Sequence, residues 1–247
     1  IGRFDLLGDQ VYEGHEFNYN NMTQGLQLVL WGLFKKIVIA DRANMYVNQI
    51  FNFHDQYDGL YVVVGMLLYT LQLYAEFSGC MDIVRGSAQM FGIQMSENFA
   101  RPFMSKTVSE FWRRWHITLG AWARDYVFYP FMKSKWMVTF GKKCKKHFGK
   151  RWGKFIPWSV SMAVLWFVMG FWHGSVRHIF GVSLWFWSVL FISELFLPIT
   201  KKITSVLEIK TESFGWHFFQ SARTYVIYAL GVVFFTSPGL RLAFEHY

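Results

Sequence analysis

Residues Phe155–Val176 read FIPWSVSMAVLWFVMGFWHGSV, a run of 22 residues with no Asp, Glu, Lys or Arg. A helix crosses the hydrocarbon core of a bilayer with about 20 such residues. It can do so because every backbone polar group is satisfied inside the segment. Three more uncharged windows lie to either side: Gly59–Ala75 with 17 residues, His178–Ser193 with 16 and Thr224–Leu240 with 17. The His178–Ser193 window continues past Glu194 to Pro198. All four predict transmembrane helices. A fifth apolar stretch, Gln24–Ala40, carries Lys35 and Lys36 and reads as a short or re-entrant helix at the interface.

Composition points the same way. Of 247 residues, 53% are apolar, 21% aromatic and 17% charged, whereas a soluble domain carries roughly 25% charged residues. The expected fold class is all-α: a polytopic transmembrane helical bundle with re-entrant and interfacial amphipathic helices. Residues 1–247 read as one membrane-embedded region. The chain starts at Ile1, without an initiator methionine or a signal-like charged start. The expectation is an internal piece of a longer protein, incomplete at both ends.

The formal charge is +9, from 25 Lys+Arg and 16 Asp+Glu. Its distribution argues against nucleic acid as the natural partner, and none is expected. Residues 78–154 hold 15 basic residues and four acidic ones, Asp82, Glu97, Glu110 and Asp125, while the rest of the chain holds 10 basic and 12 acidic. A basic block between apolar spans follows the rule that Lys and Arg remain in cytoplasmic loops. Span 59–75 then enters the cytoplasm at its C-terminal end, span 155–176 leaves, span 178–198 returns and span 224–240 leaves again. The predicted location is a cell membrane, plasma or inner, crossed several times. Cys80 and Cys144 both fall in the basic block, so no disulfide is expected.

Thr107–Tyr129 has a different pattern. Thr107-Val108-Ser109-Glu110 is a capping box. Val108, Phe111, Trp112, Trp115, Leu119, Trp122, Tyr126 and Tyr129 share one face at helical spacing. The reading is one amphipathic helix, at the cytoplasmic interface or re-entrant and packed under the bundle, with His116 at the border of its apolar stripe. Residues 133–154 read as a basic loop.

Of eight histidines, His173 stands apart because it lies within an apolar run, in Gly170-Phe171-Trp172-His173-Gly174. An ionisable residue there is costly and marks a functional candidate. An apolar setting favours neutral imidazole, the form a general base needs. The alternative is a packed histidine bonded to a carbonyl of a neighbouring helix. For His116 the plain alternative is snorkelling or capping. Zinc-ligand spacings, a phosphate-cradling Gly-rich loop and a nucleophile elbow are all absent, so no metal is expected. Glu76, Asp82 and Glu194 read as helix-pairing groups, with Arg85 or Arg177 as partners.

Three runs carry a resemblance: Ser96-Glu97-Asn98-Phe99-Ala100-Arg101-Pro102-Phe103, Glu110-Phe111-Trp112-Arg113-Arg114-Trp115-His116-Ile117-Thr118-Leu119 and Trp122-Ala123-Arg124-Asp125-Tyr126. Together they resemble the membrane-bound O-acyltransferase family, in the bacterial branch that contains alginate O-acetylation and teichoic-acid D-alanylation proteins. Phe171-Trp172-His173-Gly174 is similar to that family's second histidine motif. Gly32-Leu33-Phe34-Lys35-Lys36, Ala40-Asp41, Leu71-Gln72-Leu73-Tyr74 and Phe77-Ser78-Gly79 are similar to its upstream segments. The resemblance runs from about residue 25 to 175.

It implies His173 as the catalytic histidine and His116 as the other motif histidine, on the cytoplasmic side, orienting the donor. It implies Asn98, Trp112, Arg113, Arg114, Trp115 and Trp172 as substrate-binding residues. No tightly bound cofactor is implied. The donor would be acyl-CoA or an acyl carrier protein, with Arg113, Arg114, Lys142 and Lys143 near its negative charge. Implied partners are that donor or acidic carrier on the cytoplasmic side, an extracytoplasmic acyltransferase or glycan acceptor, and membrane lipids. The chain departs from the family at Ala75-Glu76, where an aromatic residue and Asp are expected. It departs again at Phe131-Met132-Lys133-Ser134, where the alginate branch has a Leu-Gly-Gly-Asn-like run. Another surface polysaccharide or a teichoic acid, the latter by D-alanyl transfer, therefore stays open as acceptor. The rival reading is a non-enzymatic transporter or export subunit, which would show a second, related helical half.

Overall fold

The computed structural model describes residues 2–53, 56–57, 59–174 and 178–236. Its helices are α1 (Phe4–Tyr12), α2 (Tyr19–Leu33), α3 (Asp41–Asn52), α4 (Gly59–Met90), α5 (Val108–Arg114), α6 (Ile117–Ala123), α7 (Tyr129–Met132), α8 (Lys135–Trp172), α9 (Ser183–Val206) and α10 (Phe214–Thr236). Wider π-helical turns occupy Phe34–Ala40, Arg124–Phe128 and His178–Val182. No strand occurs among the described residues, and the all-α fold class is as expected. Among the described residues, three segments are long and apolar enough to cross a membrane: Gly59–Met90, Lys135–Trp172 and His178–Val206. The fourth expected span begins within α10, and its residues 237–240 lie outside the described residues, as do His54, His246 and the proposed partner Arg177. The helices distribute over two compact units.

The first unit comprises residues up to Pro102 together with 114–118 and 228–230. Asn18 starts α2 by accepting the amides of Asn20 and Asn21 at 2.9 and 3.1 Å. α2 then runs antiparallel to α4 at backbone contact. A Cβ on Gly25 would lie 2.6 Å from the Gly86 carbonyl oxygen, and one on Gly32 would lie 2.6 Å from that of Gly79. The glycines repeat every seven residues on both helices, two turns, so they recur on the same face. Small residues let membrane helices approach this closely.

That approach brings the π turn at 34–40 onto α4. Lys35 is buried and reaches Asp82 at 2.6 Å and Ser78 at 3.0 Å. Lys36 bridges Asp41 at 2.7 Å and Glu76 at 2.9 Å. These two carboxylates hold its ammonium well above the ordinary lysine range, through hydrogen bonds first. Asp82 also faces Arg85 at 3.7 Å, and Arg85 reaches Glu97 at 3.1 Å. Glu76 and Asp82 are therefore helix-pairing groups as expected, but lysines of the π turn are their main partners. Removing one member of a buried pair strands the other charge, which costs about 3 kcal/mol or more. Asp82→Asn, which keeps the shape, should accordingly lower the thermal aggregation midpoint in detergent markedly. Glu97→Gln, at an exposed carboxylate, should hardly move it.

The second unit comprises residues 103–113, 119–227 and the part of α10 from Gly231. Here the expected basic loop 133–154 is wrong. Ser134 caps α8 by accepting the Met137 amide at 3.2 Å, and residues 135–148 are helical. Gly149 then adopts φ 84° and ψ 176°, a conformation glycine tolerates, and the helix resumes to Trp172. The two arms form an antiparallel hairpin. A Cβ on Gly141 would lie 3.2 Å from the Pro157 ring, and one on Gly153 only 2.5 Å from the Lys145 Cβ. Lysine is a good helix former. Met137, Gly141 and Cys144 recur at i, i+4 and i+7, and Met137 and Cys144 are buried. A seam at Met137, Gly141 and Cys144 thus meets the second arm, while most of the lysines stay exposed. Cys80 and Cys144 are free thiols, the first exposed and the second buried. α9 and α10 pack through Trp185, whose indole N–H donates to the Ile227 carbonyl at 3.1 Å. Trp187 does the same to Ser159 on α8 at 3.0 Å. Phe186, Val232 and Val233 form the core of this unit.

Candidate active site

The expected continuous helix over Thr107–Tyr129 does not form. Its start is as predicted: Thr107 Oγ1 accepts the Glu110 amide at 3.1 Å. The Glu110 carboxylate reaches back one residue further than a capping box requires, to the Lys106 amide at 2.9 Å. Helix α5 then ends at Arg114, Trp115 pairs with Phe99 as an isolated antiparallel bridge, and His116 takes φ 46°. The physical reason is competition for backbone partners. The Ala100 amide donates to the Arg114 carbonyl at 3.0 Å, and the Ile117 amide donates to the Asn98 carbonyl at 3.0 Å. Segment 98–100 thus replaces the i→i−4 bonds that a continuous helix would need. The stripe survives in part: Val108, Phe111, Trp115 and Leu119 are buried, whereas Tyr126 and Tyr129 are exposed beyond and around the π turn at 124–128.

His116 therefore occupies a left-handed break rather than a stripe border. Such a conformation costs a residue other than glycine roughly 1–2 kcal/mol, and strain of this kind is held where the surroundings over-determine it. Asn98 supplies the restraint. It is buried, and its Oδ1 accepts the Thr118 amide at 3.2 Å and the Thr118 hydroxyl at 2.7 Å. The amide N–H identifies that atom as the oxygen. His116 Nδ1 lies 3.2 Å from the same oxygen, so Nδ1 carries the proton and donates. Neutral His116 then presents its lone pair on Nε2. Phe77 of α4 meets the imidazole edge to face at 4.7 Å. Trp115 is packed among Tyr74, Phe77, Phe99 and Tyr228. Of the sequence-predicted set, Asn98, Trp115 and His116 come together in the first unit.

Trp112 belongs to the second unit. Its ring lies 4.9 Å from Trp166 and 4.8 Å from Phe186, edge to face in both cases. That is a core contact between α5, α8 and α9. Arg113 is exposed and reaches Ser109 at 3.4 Å. The Arg114 backbone closes the 98–100 turn, so its structural duty is fixed whatever its side chain binds.

His173 is not inside its helix. It is the C-terminal cap of α8: its amide donates to the Met169 carbonyl at 3.3 Å, and Gly174 follows with φ 80°. This is the usual helix end, with a left-handed glycine just past the cap. Phe171, Trp172 and His173 are all exposed, where the sequence had them enclosed. The membrane-length arm Lys150–Trp172 spans about 34 Å at 1.5 Å per residue, with basic residues at one end and His173 at the other. Two ring partners flank the imidazole. Trp172 meets it edge-on at 4.8 Å, and His178 lies nearly parallel to it, 18° between planes and 5.2 Å between centroids. Gly170 makes this possible. Any Cβ there would collide with the Ser183 hydroxyl, and would lie 2.7 Å from the His178 carbonyl oxygen.

Sequence reasoning missed His178, which it counted as the first residue of a span. The available signal was its five-residue offset from His173. It also missed Lys106 Nζ at 2.9 Å from His217 Nε2, a pair 111 residues apart that no local pattern announces.

Comparison with known proteins places these motifs. The family model for the membrane-bound O-acyltransferase family matches residues 9–141, a stretch that contains His116 and stops short of His173. A probable alginate O-acetylase AlgI of Pseudomonas syringae pv. tomato is 29% identical over 245 residues, 99% of this chain and 42% of that protein. A peptidoglycan O-acetyltransferase of Helicobacter pylori is 31% identical over 158 residues, 64% of this chain and 27% of that protein. A teichoic acid D-alanyltransferase of Bacillus subtilis is 30% identical over 158 residues, 61% of this chain and 35% of that protein. The chain spans less than half the length of each of these relatives. With the family model covering more than half of its residues and two histidine motifs seated at helix breaks, this chain belongs to the membrane-bound O-acyltransferase family.

Proposed function

We propose that this chain is the core of a membrane O-acyltransferase that moves an acyl group, acetyl in the first instance, from a cytoplasmic thioester donor to a hydroxyl of an extracytoplasmic polysaccharide or of a transfer partner. The observation that carries the reading is His173, an exposed imidazole held between two rings at the end of a membrane-length helix. Acetyl is preferred to D-alanyl because the relatives that cover nearly the whole chain are O-acetylases.

In this reading His173 accepts the proton of the acceptor hydroxyl as its oxygen attacks the thioester carbonyl. The carbon–sulfur bond breaks, the thiolate leaves, and the imidazolium returns the proton to it. Ester and free thiol are the products, and His173 ends neutral. General-base catalysis of this kind contributes about 10²–10⁴-fold. His116, with Nδ1 committed to Asn98, directs Nε2 to the donor on the cytoplasmic side. Arg113 and Arg114 bind donor charge, and Trp172 packs against the acyl acceptor. The test is transfer of labelled acetyl from acetyl-CoA, or from an acetylated carrier protein, to surface glycan in membranes holding the full-length protein. Equal labelling with and without the gene would reject the reading.

The basic hairpin serves as the donor's docking face. Lys142, Lys143, Lys145, Lys146, Lys150 and Lys154 are exposed, and no acidic residue occurs between Asp125 and Glu194. Such a field raises encounter rates with an anionic donor and fades with salt. Replacing Lys142, Lys143, Lys145 and Lys146 by Gln should raise the donor KM at low salt, with kcat little changed, in detergent as well as in liposomes. An effect confined to anionic liposomes would instead indicate lipid contact, worth about 1 kcal/mol per basic residue near the surface. The same topology has residues 78–154 on the cytoplasmic face. Ready labelling of cysteines placed at Ser134 or Lys145 from outside intact cells would overturn it.

A further inference from the structure

A cluster of cations lies apart from both histidine motifs, in the second unit, at the start of α10. The Ser213 hydroxyl begins that helix by accepting the Trp216 amide at 3.3 Å. The segment before α5 runs along its first turns. Ser221 donates its hydroxyl to the Met104 carbonyl at 3.2 Å, and Arg223 donates to the Lys106 carbonyl at 2.9 Å. Lys106 Nζ lies 2.9 Å from His217 Nε2. An ammonium has only protons to offer, so Nε2 accepts and the ring proton is on Nδ1. Two permanent positive charges and an imidazole thus converge from distant parts of the sequence. Neither cation forms an ion pair with a carboxylate among the described residues: Lys106 Nζ is engaged by the imidazole and Arg223 by a carbonyl. Two carboxylates flank the cluster. Glu110 accepts the Lys106 backbone amide at 2.9 Å, and Glu212, almost fully in water, stands 3.6 Å from His217 Nε2. The first unit treats its cations differently. Lys35, Lys36 and Arg85 each have a carboxylate within hydrogen-bond reach, at 2.6, 2.7 and 3.1 Å.

We propose that Lys106, His217 and Arg223 form a binding site for the phosphate of an anionic phospholipid in the cytoplasmic leaflet. The missing counter-charge is the first reason. Lys106 keeps two of its three N–H groups and Arg223 four of its five, and charge-assisted bonds from such groups to phosphate are strong. Depth is the second. The charge pattern assigns residues 78–154 and the start of span 224–240 to the cytoplasmic side separately. The hydrogen bonds between Lys106 and α10 bring the two stretches together, immediately before an uncharged span. That is the level of the headgroups, where the leaflet is negative and basic pockets at helix ends hold anionic lipids. The third reason is the rings. Phe214, Phe218 and Phe219 are exposed on the same turns, with Phe214 stacked on Phe218 and Trp216 on Phe219. Exposed rings beside cations suit a helix lying at the headgroup–acyl boundary. A soluble phosphate, such as that of the acyl donor, would have no use for them.

The experiment uses the full-length protein in neutral detergent, with phosphatidylglycerol or phosphatidylcholine of the same tails added and bound lipid counted by native mass spectrometry. Both lipids carry a phosphate, and only the first has a net negative charge. Wild type should bind phosphatidylglycerol about tenfold more tightly than phosphatidylcholine. Lys106→Gln/Arg223→Gln should lose most of that preference. Lys201→Gln/Lys202→Gln removes the same charge from the exposed end of α9, and should leave the preference within about twofold of wild type. Equal binding of the two lipids by wild type overturns the proposal, as does an unchanged preference in the Lys106/Arg223 variant. Equal losses in the two double variants also overturn it, since they would show a diffuse field rather than a site. Displacement of phosphatidylglycerol from wild type by excess coenzyme A would assign the cluster to a soluble phosphate and end the lipid reading. Should the Lys106/Arg223 variant not elute as folded protein, Arg223→Gln alone, at an exposed position, decides: a loss of preference of about threefold or more keeps the proposal and a smaller one ends it. No turnover is measured, so the result is independent of the acyl-transfer reading.

Discussion

Replacing His173 by alanine should abolish acyl transfer while leaving membrane insertion and elution as in the wild type. Loss of a general base removes about 10²–10⁴-fold of rate. The structural consequences of the change are small for identifiable reasons. The helix-ending hydrogen bonds at this position come from the backbone, His173 amide to Met169 carbonyl and Gly174 amide to Phe171 carbonyl, and alanine retains both. The side chain is exposed, so no large buried cavity is created. The measurement is turnover of labelled donor by purified full-length protein in liposomes. Wild-type turnover in the variant would exclude His173 as the base. His116→Ala should also lose activity, but less, because water can partly replace a group that orients the donor.

Asn98→Ala should be nearly as damaging to activity as His116→Ala and more damaging to stability. One side-chain oxygen there serves the Thr118 amide, the Thr118 hydroxyl and His116 Nδ1. Depriving a buried polar group of its partner costs about 1–3 kcal/mol, and here several groups share the loss. The strained backbone at His116, φ 46°, loses much of what holds it and can relax toward the continuous helix that its sequence otherwise favours. The imidazole would then turn away from its present direction against Phe77. Two measurements check this. The thermal midpoint in detergent should fall, and the Asn98→Ala/His116→Ala double variant should be no less active than the worse single one. Full additivity of the two losses would show that Asn98 does not act through His116.

The parts legible in the sequence are those governed by local rules. The helix cap at Thr107 was written in four consecutive residues, and the buried positions Val108, Phe111, Trp115 and Leu119 in their spacing. The pairing role of Glu76 and Asp82 followed from the cost of carboxylates next to an apolar span. Two readings failed where a distant segment outbid a local one, and a third where a neighbouring glycine ended the helix. The helix through His116 broke because residues 98–100 took its hydrogen bonds. The basic stretch 133–154 folded because Met137, Gly141 and Cys144 found a second helix to meet. His173 left the helix interior because the left-handed Gly174 ended α8 at the cap.

What the sequence determined alone was therefore the solvent and the menu. Twenty-odd uncharged residues demand a bilayer and internal backbone hydrogen bonds, whatever else is nearby. The run Trp112-Arg113-Arg114-Trp115-His116, inside the stretch that the family model matches, marks the family by residue identity. Tertiary structure alone decided which side chains meet. Lys35 found Asp82 across 47 positions, and Asn98 found His116 across 18. His178 came onto His173 only because Gly170 lets the following turn fold back against the helix. Periodicity reports the environment a residue wants, whereas a catalytic geometry depends on which particular partner arrives, and that is settled only when the helices pack.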